Sequence, residues 1–381
     1  MESKGDGFSV CEICFGALGE LGYRAMPLLN PTRTQQPQLH GLSPKAAIPG
    51  GSFEVVGSHL MQMTNDGPQM PLAFFGDTPA TLELARPTRA LVRVPEGAIS
   101  SELVLRHSGT HGPLGTLLQS NGLHVSIGVP MAEDLHLISN PAVDAEGNLF
   151  AMVSGPRGER VPVSIFRIAA DLQMTPFVHD VLNVSALAFD RDGNLYASSR
   201  AEGCVYRISP EGAISTYAEG MGIATGLAFD RAGNLYVGDR SGTIFKIAPT
   251  REIFVFATLE PSVAAYHLAF RDDGVLLVTA PTTSSNQPIY AIAADGTTSV
   301  FYRGLGRPQG MAFDAESNLY VAASLEGRRG IVRITQAGDA ELVVAGNDLV
   351  GLCFLEDGCV ALATHTVLFH ADLGIQGRVL V

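Results

Sequence analysis

Tryptophan is absent from this chain of 381 residues, cysteine occurs five times, and lysine plus arginine number 25 against 38 aspartate plus glutamate. Each shortage excludes something. The five cysteines (Cys11, Cys14, Cys204, Cys353, Cys359) are too few and too scattered for a disulfide framework, and the odd count leaves at least one unpaired. A formal charge of −13 sets up a field that repels phosphate backbones, and no basic stripe offsets it, so nucleic acid is not expected as a partner. No apolar run reaches the roughly eighteen residues that a membrane-crossing helix needs, so no membrane insertion is expected. The first residues, MESKGDGFSVCEICFGALGELGYRAM, lack a basic segment followed by a long apolar core. A cytoplasmic location is the expectation for the chain as written; secretion or a periplasmic location would need a different N-terminus. Helical periodicity is missing throughout, and nothing indicates an oligomeric state.

Glycine and proline are plentiful, at 42 and 22, and call for many turns. The stretch LAFDRDGNLYASSR at 187–200 returns almost letter for letter as LAFDRAGNLYVGDR at 227–240. Four weaker copies begin at Asn140, Leu268, Met311 and Leu352. Their turn positions Gly147, Gly193, Gly233, Gly274, Ser317 and Gly358 lie 46, 40, 41, 43 and 41 residues apart. A period near forty points to a propeller or a solenoid. In each copy a β-rich run meets an Asp/Gly/Asn cluster and a second β-rich run, the mark of a tight hairpin. Two further strands follow, such as CVYRI and STYAE, so each unit makes a four-stranded blade. The expected fold class is all-β: a six-bladed β-propeller over 129–381 preceded by a small β-sandwich. Arg378–Val381 is expected to close the ring, with His124–Val129 as the competing strand. The DRDGN phrase has its glycine at the wrong offset for a calcium loop and no glutamate at the twelfth position, so it is read as a turn.

The phrase G-L-A-F-D-x-x-G-N-L-Y-V resembles the NHL repeat and, more broadly, the six-bladed propellers of the senescence-marker/gluconolactonase superfamily. The likeness covers 131–381 and implies a fold more than a function. Before it, residues 37–128 carry short alternating runs with Gly/Pro turns. Their wording, LSP with PGGSFEVVGSHL, AFFGDTPA and LVRVPEGAISSELVL, resembles a TIG (IPT) immunoglobulin-like module. Residues 1–36 read as an irregular leader and linker. Cys11 and Cys14 form a CxxC, but no second pair supplies the four ligands of a zinc site and no βαβ context supports a redox motif.

In a propeller the residues entering the first strand and leaving the second share one face, and funnels there are the usual ligand sites. The entrance positions are Ser139, Ser185, Thr225, Tyr266, Gln309 and Val350, with Asn140 and His267 one step deeper; the exits are Arg200, Asp239, Arg240 and His365. The gluconolactonase resemblance implies a divalent metal held by Glu, Asn and Asp at such entrances. Its E-x-P-x-W phrase aligns with Ser139-Asn140-Pro141-Ala142-Val143, which puts Ser139 where the acidic ligand stands. A hard cation wants anionic oxygens, and none of the six entrances is a carboxylate. No metal and no other cofactor is therefore expected, a divalent cation entering only under the enzymatic alternative. Asp239 is the remaining acidic candidate and Asn140 a neutral one. His267 and His365 are the candidate acid and base of a propeller that resembles the histidine-dependent lyases opening streptogramin rings, although the Trp-rich motif of those enzymes has no counterpart. Arg200 and Arg240 occupy matching positions and form either a solvated edge or an anion-binding pair. The expected function is non-catalytic recognition of a protein or small ligand at this face, through Asn140, Ser185, Arg200, Thr225, Asp239, Arg240, Tyr266, His267 and Gln309. The alternative is a gluconolactonase-like hydrolase, or a propeller lyase, acting on a lactone or cyclic ester.

Overall fold

The repeated Asp-x-x-Gly-Asn phrase builds its turn from its own side chains. In a computed structural model, which describes residues 35–378 apart from 65–66, 109–116, 156–158, 283 and 285, four copies share one arrangement. The aspartate Oδ1 accepts the backbone N–H of the asparagine four residues on, from Asn148 to Asp144, Asn194 to Asp190, Asn234 to Asp230 and Asn318 to Asp314, at 2.8–2.9 Å. Each asparagine side-chain amide donates to the same carboxylate. Gly147, Gly193 and Gly233 take φ of 77–81°, a left-handed conformation that costs glycine little. The fourth copy puts Ser317 there at φ 63°, and its hydroxyl donates to Asp272 at 2.6 Å. These carboxylates hold the turns.

The aromatic residue that follows each turn ties one repeat to the next. The hydroxyls of Tyr236 and Tyr320 donate to Asp230 and Asp314 at 3.2 and 3.1 Å. Their rings meet the Phe of the succeeding repeat edge-on, Tyr236 to Phe270 at 4.9 Å and Tyr320 to Phe354 at 5.1 Å between centroids. Tyr196 with Phe229 and Phe150 with Phe189 repeat the contact at 4.9 and 5.2 Å. Such pairs contribute about 0.5–1.5 kcal/mol beyond the area they bury.

The strands form a β-propeller. Sheet 1 takes Ala142–Val143, Leu149–Met152, Ile165–Ile168 and Met174–Val178. Sheet 2 takes Val184–Phe189, Leu195–Ser199, Cys204–Ile208 and Ile214–Ala218; sheet 3 takes Ala224–Phe229, Leu235–Asp239, Thr243–Ile247 and Ile253–Thr258. Sheet 4 takes His267–Phe270, Leu276–Thr279, Gln287–Ile292 and Thr298–Leu305. In a closing sheet, Leu349–Phe354, Cys359–Thr364 and Leu368–Asp372 are completed by Val129–Ala132, antiparallel to Leu368–Asp372. The ring is therefore closed from its N-terminal side. Of the expected closing strands, His124–Val129 contributes only its last residue, Val129, which pairs with His370, while Leu123–Ile127 lies against Ala46–Ala47; the backbone N–H of Arg378 donates to Phe313, and residues 379–381 lie outside the described residues.

Among the described residues, five four-stranded sheets stand separately, where the sequence pattern leads to six. The strands Met311–Phe313, Leu319–Leu325, Arg328–Ile334 and Ala340–Ala345 do follow one another as neighbours, but they belong to a sheet of thirteen. The cause is local: Ala46 and Ala47 pair in parallel with Val344 and Ala345, and also with Ser126 and Ile127, so the outermost strand of this group is not an edge. Beyond that splice the sheet continues through the N-terminal strands to Gln38–Ser43, with Thr78–Arg86 pairing first with Leu72–Phe75 and then with Arg89–Arg93. Side chains from strands far apart in that path, including Leu39, Phe53, Phe75, Val92, Leu103, Val125 and Ile127, meet in one buried core. The sheet thus curls over itself. Cys11, Cys14 and most of the expected leader lie outside the described residues.

Truncating the aromatic seam tests this account. Tyr236→Ala is expected to lower the unfolding free energy by about 3–5 kcal/mol, and Tyr236→Phe, which removes only the bond to Asp230, by about 1 kcal/mol, both read from denaturant melts.

Candidate functional site

Ser185, Thr225 and Tyr266 are held by backbone partners, and the closed ring brings Ser139 face to face with His267. Ser139 Oγ and His267 Nδ1 share a hydrogen bond at 3.2 Å, with both residues buried. Ser139 leads into sheet 1 and His267 opens sheet 4. Sheets 2 and 3 lie between them in one direction, and the 311–345 strands and the closing sheet in the other. The bond therefore crosses the propeller axis. Burial pushes the His267 imidazole down to about 4, so it is neutral at physiological pH.

Asn140 bridges two neighbouring strand groups. Its Nδ2 donates to the Met311 carbonyl at 2.7 Å and its Oδ1 accepts the Leu352 N–H at 3.2 Å. The amide sits so close that neither Gly310 nor Gly351 has room for a Cβ. Thr225 is buried, donating its hydroxyl to Gly238 O at 2.8 Å and accepting the Tyr266 N–H at 3.1 Å. Tyr266 is fully buried and donates its hydroxyl to the Glu260 carbonyl; burial, with Tyr290 and the nearby acids, pushes it up to about 12. Ser185 turns its hydroxyl onto Asn183 O at 3.3 Å, and the Gln309 carbonyl accepts from Thr279 at 2.8 Å.

The exit residues also face the protein. Both Asp239 carboxylate oxygens are engaged locally, by the Ile223 N–H at 2.8 Å and by the Ser241 hydroxyl. The Arg200 guanidinium donates back to Gly155 O at 3.4 Å, while that of Arg240 donates forward to Val263 O at 2.9 Å. Pointing opposite ways round the ring, the two arginines do not converge on one anion. His365 is exposed at the rim, its Nδ1 3.1 Å from the Leu137 carbonyl. The candidate histidines thus touch one short segment two residues apart, Leu137 and Ser139, one imidazole in solvent and one enclosed. Among the described residues, no three His, Cys, Asp or Glu side chains come together as they would around a metal ion.

Two polar residues escaped the sequence reading. Ser198, buried, donates to the Thr225 carbonyl of the next sheet, and Thr279, also buried, donates to Gln309 in the same way. Their signal was a hydroxyl in an inner strand that otherwise runs apolar, in LYAS and LLVT.

These features define a β-propeller protein whose axial polar groups bond mainly to one another and to backbone. No protein-family model matches the chain, and no curated protein matches it significantly in sequence. Solved structures do resemble it. A gluconolactonase-like protein, 19% identical, aligns over 66% of this chain and 93% of its own with a TM-score of 0.55. A protein of unknown function from Bacteroides thetaiotaomicron, 14% identical, covers 89% of this chain and 98% of its own at 0.53. An auxiliary nutrient binding protein from the same organism, 12% identical, covers the same shares at 0.50. At such identities the likeness is one of fold.

The buried imidazole gives a pH test. With its folded value depressed below the unfolded value near 6.5, His267 is neutral in the native state while the unfolded chain takes up a proton, so stability present above about pH 6.5 is lost as pH falls toward 4. The loss is expected to reach about 3 kcal/mol on this group's account. His267→Gln should flatten the fall in unfolding free energy between pH 7 and pH 4.5; an unchanged slope would place the titration elsewhere.

Proposed function

We propose that this chain is a non-catalytic recognition protein: an NHL-type propeller of six blades over 129–381, behind an immunoglobulin-like TIG module at 37–128, binding a protein or small ligand on the face where the entrance and exit residues lie. The 311–345 strands count as the remaining blade, since they occupy the interval between sheet 4 and the closing sheet. The observation that carries the functional reading is the Ser139–His267 bond. It lies at the position where the gluconolactonase resemblance implies an acidic metal ligand, and it replaces that charge with a neutral pair. Asn140 and Asp239, the other candidates for a cation, already engage backbone or hydroxyl donors. Exposed His365 and the partly buried Arg200 and Arg240 remain at the rim to meet a partner.

A second reading, opening of a lactone or cyclic ester, has one observation in its favour: His267 and His365 flank Leu137–Ser139, a buried imidazole beside an exposed one. Incubating the protein with aldonolactones and a cyclic depsipeptide, and following ring opening, separates the two. Recognition predicts no turnover above buffer. Turnover lost in both His267→Gln and His365→Gln would replace it with the lyase or lactonase.

A further inference from the structure

A cleft of about 480 Å³ opens where the N-terminal strands meet the propeller. That volume falls in the range of about 300–1,000 Å³ typical of small-molecule sites. Four arginines, Arg89, Arg93, Arg328 and Arg329, and two glutamates, Glu54 and Glu83, are the charged side chains on its walls. A chain with a formal charge of −13 thus gathers an excess of positive charge in one concavity. The arginines come in pairs from opposite sides. Arg89 and Arg93 project from one strand of the N-terminal sheet, while Arg328 and Arg329 begin the propeller strand Arg328–Ile334.

The walls are fixed and their donors only partly used. Arg328 is held by the Ser43 and Ser52 carbonyls at 2.9 and 3.1 Å, which anchors the propeller wall to the N-terminal strands. Arg89 pairs with Glu54 at 3.0 Å, Arg93 with Glu83 at 2.7 Å, and Arg329 with Asp348 at 3.5 Å, each of these arginine side chains being 53–59% exposed. A guanidinium carries five N–H donors in a planar fork, so one ion pair leaves several directed at the cleft or solvent. Gly50 and Gly327 line the same space without side chains to fill it.

The geometry points to a small dianion as the ligand of this cleft, with one oxyanion group on the Arg89/Arg93 wall and the other on the Arg328/Arg329 wall. Arginine forks match carboxylate and phosphate oxygens, so either can supply the charge. A ligand of this kind joins the two parts of the chain across their seam. The site is separate from the propeller funnel, and it stands or falls without the recognition reading given there.

Calorimetric titration of the full chain with succinate, citrate, pyrophosphate and, as the single-charge control, acetate tests the assignment and separates the carboxylate from the phosphate source. At least one multivalent anion is expected to bind saturably and at least about tenfold more tightly than acetate, weakening as salt is raised. Arg93→Gln and Arg329→Gln should each raise its Kd about tenfold, because each removes a charge-assisted donor set from a different wall. Glu83→Gln, which frees Arg93 and deletes a like charge, should tighten binding. Arg160→Gln, an exposed arginine remote from the cleft, should leave it unchanged. Unaltered thermal melts for the variants establish that the fold is intact. Absence of binding by all three multivalent anions, equal affinity for acetate, or equal effects of Arg160→Gln and Arg93→Gln would overturn the proposal.

Discussion

The pairing of Val129–Ala132 with Leu368–Asp372 is the constraint on which the remaining architecture rests. It joins the strand just ahead of the first repeat to the last strand of the final repeat and converts a row of hairpins into a ring. In an open row the first and fourth repeats would not meet. In the ring, Ser139 and His267 are hydrogen-bonded although 128 residues separate them. The aromatic seams and the Asp–Asn turns fix four of the junctions; closure decides which repeats face one another.

Closure also brings polar groups onto the axis, where burial would be costly without partners. The chain answers with short hydroxyl and amide side chains aimed at backbone carbonyls: Ser198 on Thr225, Thr279 on Gln309, and Asn140 on Met311. These polar side chains thus serve packing between neighbouring strand groups. Arginines gather instead at the cleft of the N-terminal seam.

The propeller was legible because its phrase is local. Asp-x-x-Gly-Asn closes its own turn within five residues, and the alternation around it marks strands without reference to anything distant. Long-range pairing was not legible. Nothing in Ala46–Ala47 announces that two alanines insert in parallel beside Val344 and Ala345 and merge one group of strands with the N-terminal sheet. The closing strand was missed because Val129-Pro130-Met131-Ala132 is short and contains a proline, which marks it as an edge rather than a central strand. At the site, spacing identified the entrance residues but not the direction of their side chains. Arg200 and Arg240 occupy equal positions and reach opposite ways, and Asp239 folds back onto its own turn. The Ser139–His267 bond depends on ring closure, so no window of sequence contains it.

The central claim is that neutral, internally bonded side chains occupy the propeller axis. Calorimetric titration of the purified protein with Ca²⁺, Mn²⁺ and Zn²⁺ at neutral pH tests it most directly. The account predicts no saturable binding at micromolar concentrations; micromolar affinity abolished by Ser139→Ala and Asp239→Ala would contradict it.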